Sequence, residues 1–155
     1  MKIFADNLGP IHPYKLITGC VVPRPIAWIT TLNENGKVNL APYSNFTFLS
    51  HRSLMVAVGI AHKPPEYTVM KDTERNIRRT GEFVIHIGSV KHIGQIQNSS
   101  YDYDADVSEV DELGIATVPC DTVKVPRIAD VKIAMECTPK QYIDVGSPGY
   151  VLIAA

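Results

Sequence analysis

CVVPRPIAWITTLNENGKVNLAPYSNFTFLS, running from Cys20 to Ser50, is the stretch on which the fold turns. Its first part, CVVPRPIAWITT, is rich in β-branched and aromatic residues and predicts a strand. Pro23 and Pro25 stand at the entry of that strand, where no ladder donor is needed. LNENGK follows, and Asn35-Gly36 is a reverse-turn signal between two apolar runs. VNLAPYSNFTFLS then returns as the second strand of a hairpin. Polar residues interrupt it: Ser44, Asn45 and Thr47 stand among Leu40, Tyr43, Phe46 and Phe48. The alternation is only approximate, and a buried hydroxyl or amide without a partner costs about 1–3 kcal/mol. Those groups are satisfied either by neighbouring chain or by something bound there.

Working outward, SLMVAVGI (Ser53 to Ile60) predicts a third strand, apolar throughout and therefore buried on both sides. HKPPEY breaks the pattern. KDTERNIRRTG has helix chemistry at both ends, with Asp72 or Thr73 as N-cap, Arg78 and Arg79 in the last turn and Gly81 just after it. EFVIHIG predicts a fourth strand. KHIGQIQNSS and VSEVDELG predict short helices, the second stopped by Gly114. DTVKVPRIADVKIAMECTPKQYIDVG supplies at least two more strands and GYVLIAA another. Many short strands with hairpin turns and few helices point to a mainly β, antiparallel barrel rather than a doubly wound sheet.

With 155 residues, 45% hydrophobic and 20% charged, the chain has the profile of a single globular domain with a genuine core. A net charge of −1 provides no basic field for nucleic acid or an anionic membrane. MKIFADNLGP lacks the apolar core of a signal peptide, and no apolar run is long enough to span a bilayer. Cys20, Cys120 and Cys137 have no CxxC spacing and are expected as reduced thiols in the cytoplasm. The histidines share no HxxxH or HxH spacing, so no metal site is expected. GxSxG, GxxxxGK[ST] and GxGxxG motifs are absent; the last is the commonest way of holding a nicotinamide dinucleotide.

Two stretches are candidate binding surfaces. At the start of the 71–79 helix, Lys71, Thr73 and free backbone N–H groups would face an anion, with Asn76 one turn on. The competing reading is an ordinary capped helix with solvated basic residues. On the hairpin, Ser44, Asn45 and Thr47 lie beside the strand carrying Trp28, Thr30 and Thr31, a set suited to a flat heteroaromatic ring with polar edges. Cross-strand Thr and Ser pairing is the alternative there. Trp28 is read either as a stacking surface or as core. Arg24, between two prolines, is either an anion contact or a surface arginine at a strand entrance. Asp102, Asp104, Asp106 and Glu109 form an acidic turn that lacks the glycine and glutamate spacing of a calcium loop.

Four segments in order, VVPRPIAWITTLNENGKVNLAPYSNFTFLS, KDTERNIRRTGEFVIHI, VDELGIATVP and VPRIADVKIAMEC, closely resemble the flavin reductase-like, FMN-binding split-barrel family, especially its flavoredoxin-like branch. The resemblance implies a Greek-key split β-barrel homodimer holding one FMN per subunit near the dimer interface. It implies that the isoalloxazine lies against the APYSNF strand (Tyr43, Ser44, Asn45, Phe46, with Thr47), whose backbone N–H groups meet the ring's N5 and O4 edge. It also implies Thr30, Thr31, Lys71, Thr73 and Asn76 near the ribityl chain and phosphate, and Trp28, the stacking candidate, is counted with them among the expected cofactor-binding residues. No catalytic side chain is expected, because flavin N5 carries the chemistry. NAD(P)H:flavin reductase is the leading activity, an electron-carrying flavoprotein without nicotinamide activity the alternative, and a non-redox binding barrel a third reading. The chain departs from many relatives at SHRS (Ser50 to Ser53), where they carry DPP. It also ends at GYVLIAA, where relatives continue, so truncation is expected to affect barrel closure and part of the dimer surface.

Overall fold

A computed structural model describes residues 2–4, 8, 13–63, 68–146 and 149–155 of the chain. The 62–67 break lies largely outside the described residues, as does much of the N-terminal decapeptide. Helix α1 (Pro13–Cys20) opens the described fold, with Pro13 in the first position, where a missing N–H costs nothing. It was not anticipated from the sequence. The strand expected from Cys20 starts only at Ala27, because Pro23 and Pro25 deny ladder donors to the approach.

β1 (Ala27–Leu32) and β2 (Val38–Tyr43) form the expected antiparallel hairpin, paired from Ala27–Tyr43 to Leu32–Val38. Asn33 N–H donates to Lys37 O and Gly36 N–H to Asn33 O, closing the turn. The returning segment is not one strand. It bends at Ser44–Asn45, and β3 (Phe46–Ser50) continues in a different sheet, paired with β4 (Met55–Ala61). Gly59 admits the bend: its N–H donates to Asn45 O at 2.7 Å, and a Cβ there would sit 3.0 Å from Asn45 Cβ. β4 is buried on its inward side through Val58 and Ile60, while outward Ala57, Gly59 and Ala61 are small and grade from buried to exposed. Its double-sided burial was therefore over-read.

α2 (Asp72–Thr80) follows, closed by Gly81 at φ 71°, whose N–H returns to Ile77 O. Its N-cap is Lys71, one residue before the expected Asp72 or Thr73, and no side chain caps it. Both expected caps are engaged elsewhere: Asp72 pairs with Lys63 and Arg75, and Thr73 accepts from Asn39. β5 (Phe83–Ile87) returns to the first sheet. A 3₁₀ turn (Val90–His92) leads into α3 (Ile93–Asn98), and α4 (Glu109–Glu112) starts at Ser108, whose hydroxyl accepts from Asp111 N–H. A two-stranded ribbon of β6 (Thr117–Val118) and β7 (Arg127–Ile128) precedes β8 (Ile133–Cys137), β9 (Pro139–Asp144) and β10 (Gly149–Ala154).

The two large sheets run β2-β1-β5-β8 and β3-β4-β10-β9, all antiparallel. Their edges meet in sequence, β2 running into β3 at one seam and β8 into β9 at the other, so the chain itself stitches a split barrel. At the second seam Thr138 and Ala155 exchange both backbone hydrogen bonds. Between the sheets lie Ile29, Val58, Ile60, Ile77, Phe83, Ile85, Tyr150 and Leu152. Trp28, Leu40, Val110, Ile115 and Ile128 form a second cluster on the outer face of the first sheet. β1 is thus buried on both faces, and its side chains become wall rather than surface.

Candidate functional site

The head of α2 meets the open edge of β2 in a cavity of about 270 Å³, with Asn39, Ala41, Pro42, Tyr43, Lys71 and Thr73 on one side and the 99–103 loop on the other. β2 is an edge strand, so alternate N–H groups point away from β1. Leu40 N–H is taken by Glu109 Oε2 at 2.8 Å, and Pro42 offers none. Burial raises the pKa of Glu109, opposed by that hydrogen bond from Leu40. The next N–H along this alternation is that of Ser44, at the bend.

Lys71 is the cation this cavity leaves uncommitted. Lys63, by contrast, bridges Asp72 and Asp102 at 3.1 and 3.3 Å. Among the described residues no carboxylate lies within 4 Å of Lys71 Nζ, and burial lowers its pKa. Nζ stands 5.5 Å from the centre of the Tyr43 ring. The Tyr43 hydroxyl is buried with no hydrogen-bond partner among the described residues; Thr73 is beside it without hydrogen-bond geometry. Desolvation is the main cause of its raised pKa. One wall therefore presents an unpaired ammonium, an orphaned phenol and a helix terminus whose first N–H groups have no cap. Each is a demand for a polar, anionic ligand.

Behind this wall runs a closed amide network. Asn39 Nδ2 donates to Thr31 Oγ1 at 3.1 Å and to Thr73 Oγ1 at 2.9 Å. Asn76 Nδ2 donates to Thr31 Oγ1 at 3.0 Å and to Asn33 Oδ1 at 2.7 Å. All five residues are at least nine-tenths buried. The network bolts the first turns of α2 to β1 and β2 and so fixes where Lys71 stands. Asn39 was missed in the sequence reading; its only signal was an amide at an inward strand position.

Of the residues singled out from sequence, Tyr43, Lys71 and Thr73 come together on this cavity. Ser44, Asn45, Phe46 and Thr47 line a neighbouring one of about 370 Å³, on the other side of the bend. Trp28, Thr30, Thr31 and Asn76 reach neither: each is fully or almost fully buried and bonded to protein. Trp28 Nε1 donates to Ser99 Oγ at 2.9 Å and Thr30 Oγ1 to Pro126 O at 2.9 Å. These residues hold the wall rather than face the cavity. The polar groups at the bend divide: Ser44 Oγ accepts from Arg24 Nη1 at 2.6 Å, whereas Asn45 and Thr47 are exposed.

No group of three or more His, Cys, Asp or Glu side chains with metal-binding geometry occurs among the described residues. His86 is a brace: Nδ1 sits 2.8 Å from Trp28 O, and Nε2 accepts from Ile128 N–H at 3.1 Å. Burial lowers its pKa to about 4. No helix among the described residues is long and apolar enough to cross a membrane.

An antiparallel split barrel of this kind is the fold of flavin reductase-like proteins. The match to the flavin reductase like domain spans residues 18–154, and the chain belongs to that family. BH2278 of Halalkalibacterium halodurans is 35% identical over 149 residues, covering 96% of this chain and 70% of the relative. The 2-nitrobenzoate 2-nitroreductase NbaA of Pseudomonas fluorescens superposes with a TM-score of 0.87 at 31% identity, covering 99% of this chain and 73% of that one. Nitrilotriacetate monooxygenase component B of Bacillus cereus gives a TM-score of 0.92 at 28% identity over 99% and 77%. Membership and these neighbours support a flavin-associated oxidoreductase.

Proposed function

We propose that the chain is an FMN-dependent oxidoreductase of the NAD(P)H:flavin reductase type, working in the cytoplasm as a homodimer with its whole length as one domain. The observation that carries the reading is the wall at the head of α2, where, among the described residues, the Lys71 ammonium has no carboxylate partner, the Tyr43 hydroxyl has no hydrogen-bond partner and no side chain caps the helix. A phosphoribityl group satisfies all three: phosphate on Lys71 and the α2 N–H groups, a ribityl hydroxyl on Tyr43. Its phosphate selects FMN over riboflavin. FMN, when bound, supplies the redox chemistry.

The chain's own residues orient and tune. The bend at Ser44–Asn45 offers the edge donor next after Pro42 for a ring edge. Asn39 and Asn76 hold Thr73 and the α2 terminus in place. Glu109 occupies Leu40 N–H, so the outward donor next to the bend on β2 is already taken. In this reading no side-chain acid or base is required of the chain.

Titration of purified protein with FMN and with riboflavin tests the reading. FMN should bind at least tenfold more tightly; equal affinities, or none, reject it. Anaerobic mixing of the FMN-loaded protein with NADH and with NADPH then decides between reductase and carrier. Bleaching within seconds fits the reductase. Its absence favours an electron-transfer flavoprotein reduced by another protein, a reading kept open by the missing GxGxxG.

A further inference from the structure

We infer that the cavity beside the bend at Ser44–Asn45 is a subsite for a small organic monocarboxylate with a flat apolar body, seated next to the place proposed for the flavin edge. The cavity of about 370 Å³ lies between α1 and the bend, lined by the apolar Ile17, Val21 and Phe46 and by the polar Ser44, Asn45 and Thr47. Among the described residues, Arg24 is the one charged residue that lines it. Pro23 and Pro25 fix the backbone on both sides of Arg24, so its side chain departs from a stiff support.

The guanidinium spends one donor on Ser44 Oγ, at 2.6 Å, and no carboxylate among the described residues pairs with it. An arginine carries five N–H donors in a planar fork, and the rest suit a bidentate carboxylate. One positive charge beside the apolar side chains of Ile17, Val21 and Phe46 matches a monoanion on a ring. A dinucleotide's pyrophosphate would call for a second cation, and the described residues lining this cavity supply none. Tyr43 lines the first cavity and Ser44 the second, so the two meet at consecutive residues. An acid seated on Arg24 therefore stands next to whatever lies against the bend. Only that last step, which sets the subsite next to the flavin edge, rests on the FMN reading.

Calorimetric titration with benzoate and with its neutral isostere benzamide tests the inference, on flavin-free and on FMN-loaded protein, for wild type, Arg24→Gln and Arg24→Lys. Benzoate should bind wild type at least tenfold more tightly than benzamide. Arg24→Gln should lose at least tenfold in benzoate affinity with benzamide unchanged, and Arg24→Lys should fall between. In FMN-loaded wild type, benzoate should also shift the visible flavin spectrum. Equal benzoate affinity in wild type and Arg24→Gln overturns the subsite. So does a loss of FMN affinity in Arg24→Gln beyond about threefold, because Arg24 would then serve the cofactor. Titration of flavin-free protein reads the cavity even if FMN fails to bind, so the two readings fail separately.

Discussion

At Lys71 the backbone starts a helix while the ammonium, desolvated and without a carboxylate, faces a cavity. Removing it should weaken FMN binding by about 1.5–3 kcal/mol, roughly 10- to 150-fold, the worth of one charge-assisted contact. Lys71→Ala should melt at the wild-type temperature without flavin; unchanged FMN affinity by fluorescence titration would place the phosphate elsewhere. Thr73→Ala is a poorer probe, because Thr73 also receives Asn39 and its loss loosens the α2 anchor. Tyr43→Phe isolates the orphaned hydroxyl: flavin-free stability should hold or rise, while FMN affinity falls. His86 sets an acid limit independent of flavin. Between pH 6.5 and about 4 the unfolded chain binds a proton on this imidazole that the folded chain refuses. Stability is therefore full above pH 6.5 and declines by about 3 kcal/mol as pH falls through that window. A His86→Asn variant should show a flatter melting profile over the same range in calorimetry, and an identical slope would remove His86 as the cause.

Elements were legible where local chemistry agrees with tertiary demand. The Asn35-Gly36 hairpin, α2 with Gly81 behind it, α4 before Gly114, and β5 were all readable because turn residues and caps punctuate them. Less legible were features imposed by distant partners. The break of Val38–Ser50 into two strands depends on Gly59, which lies fourteen residues beyond Asn45 in sequence and admits it in space. The same holds for Trp28, Thr30, Thr31 and Asn76, whose residue types suit a ligand and whose partners (Ser99, Pro126, Asn39, Asn33) no local pattern reveals. Gly149 opens the β4–β10 pairing within the second sheet to experiment. It sits at φ 122°, and a Cβ there would lie 2.4 Å from Ile60 O across the β4–β10 pairing. Gly149→Ala should cost at least about 2 kcal/mol, combining backbone strain with overpacking against main chain. Gly36→Ala, at φ 80° with open space around it, should cost clearly less. Equal losses in urea unfolding would mean that the β4–β10 contact relaxes freely.

For the molecule as a whole, the outward face of β3-β4-β10-β9 bears on assembly. Ala57, Gly59, Val151 and Ile153 lie along it, with Ala57 paired to Ile153 and Gly59 to Val151, and none carries a charge. An uncharged, shallow sheet face suits a second copy of the chain, because small residues allow close approach and apolar ones favour its burial. Asn45 and Thr47 border this face and also line the cavity at the bend, so a partner seated here would close over the proposed flavin edge. Assembly and cofactor affinity should then be linked: each stabilises the state the other needs. Val151→Lys places a charge in the middle of the face without touching the α2 anchor. It should yield a monomer by light scattering and weaken FMN binding several-fold, whereas Lys71→Ala should weaken FMN binding in a dimer. A Val151→Lys monomer with wild-type FMN affinity would mean that one subunit completes the site alone.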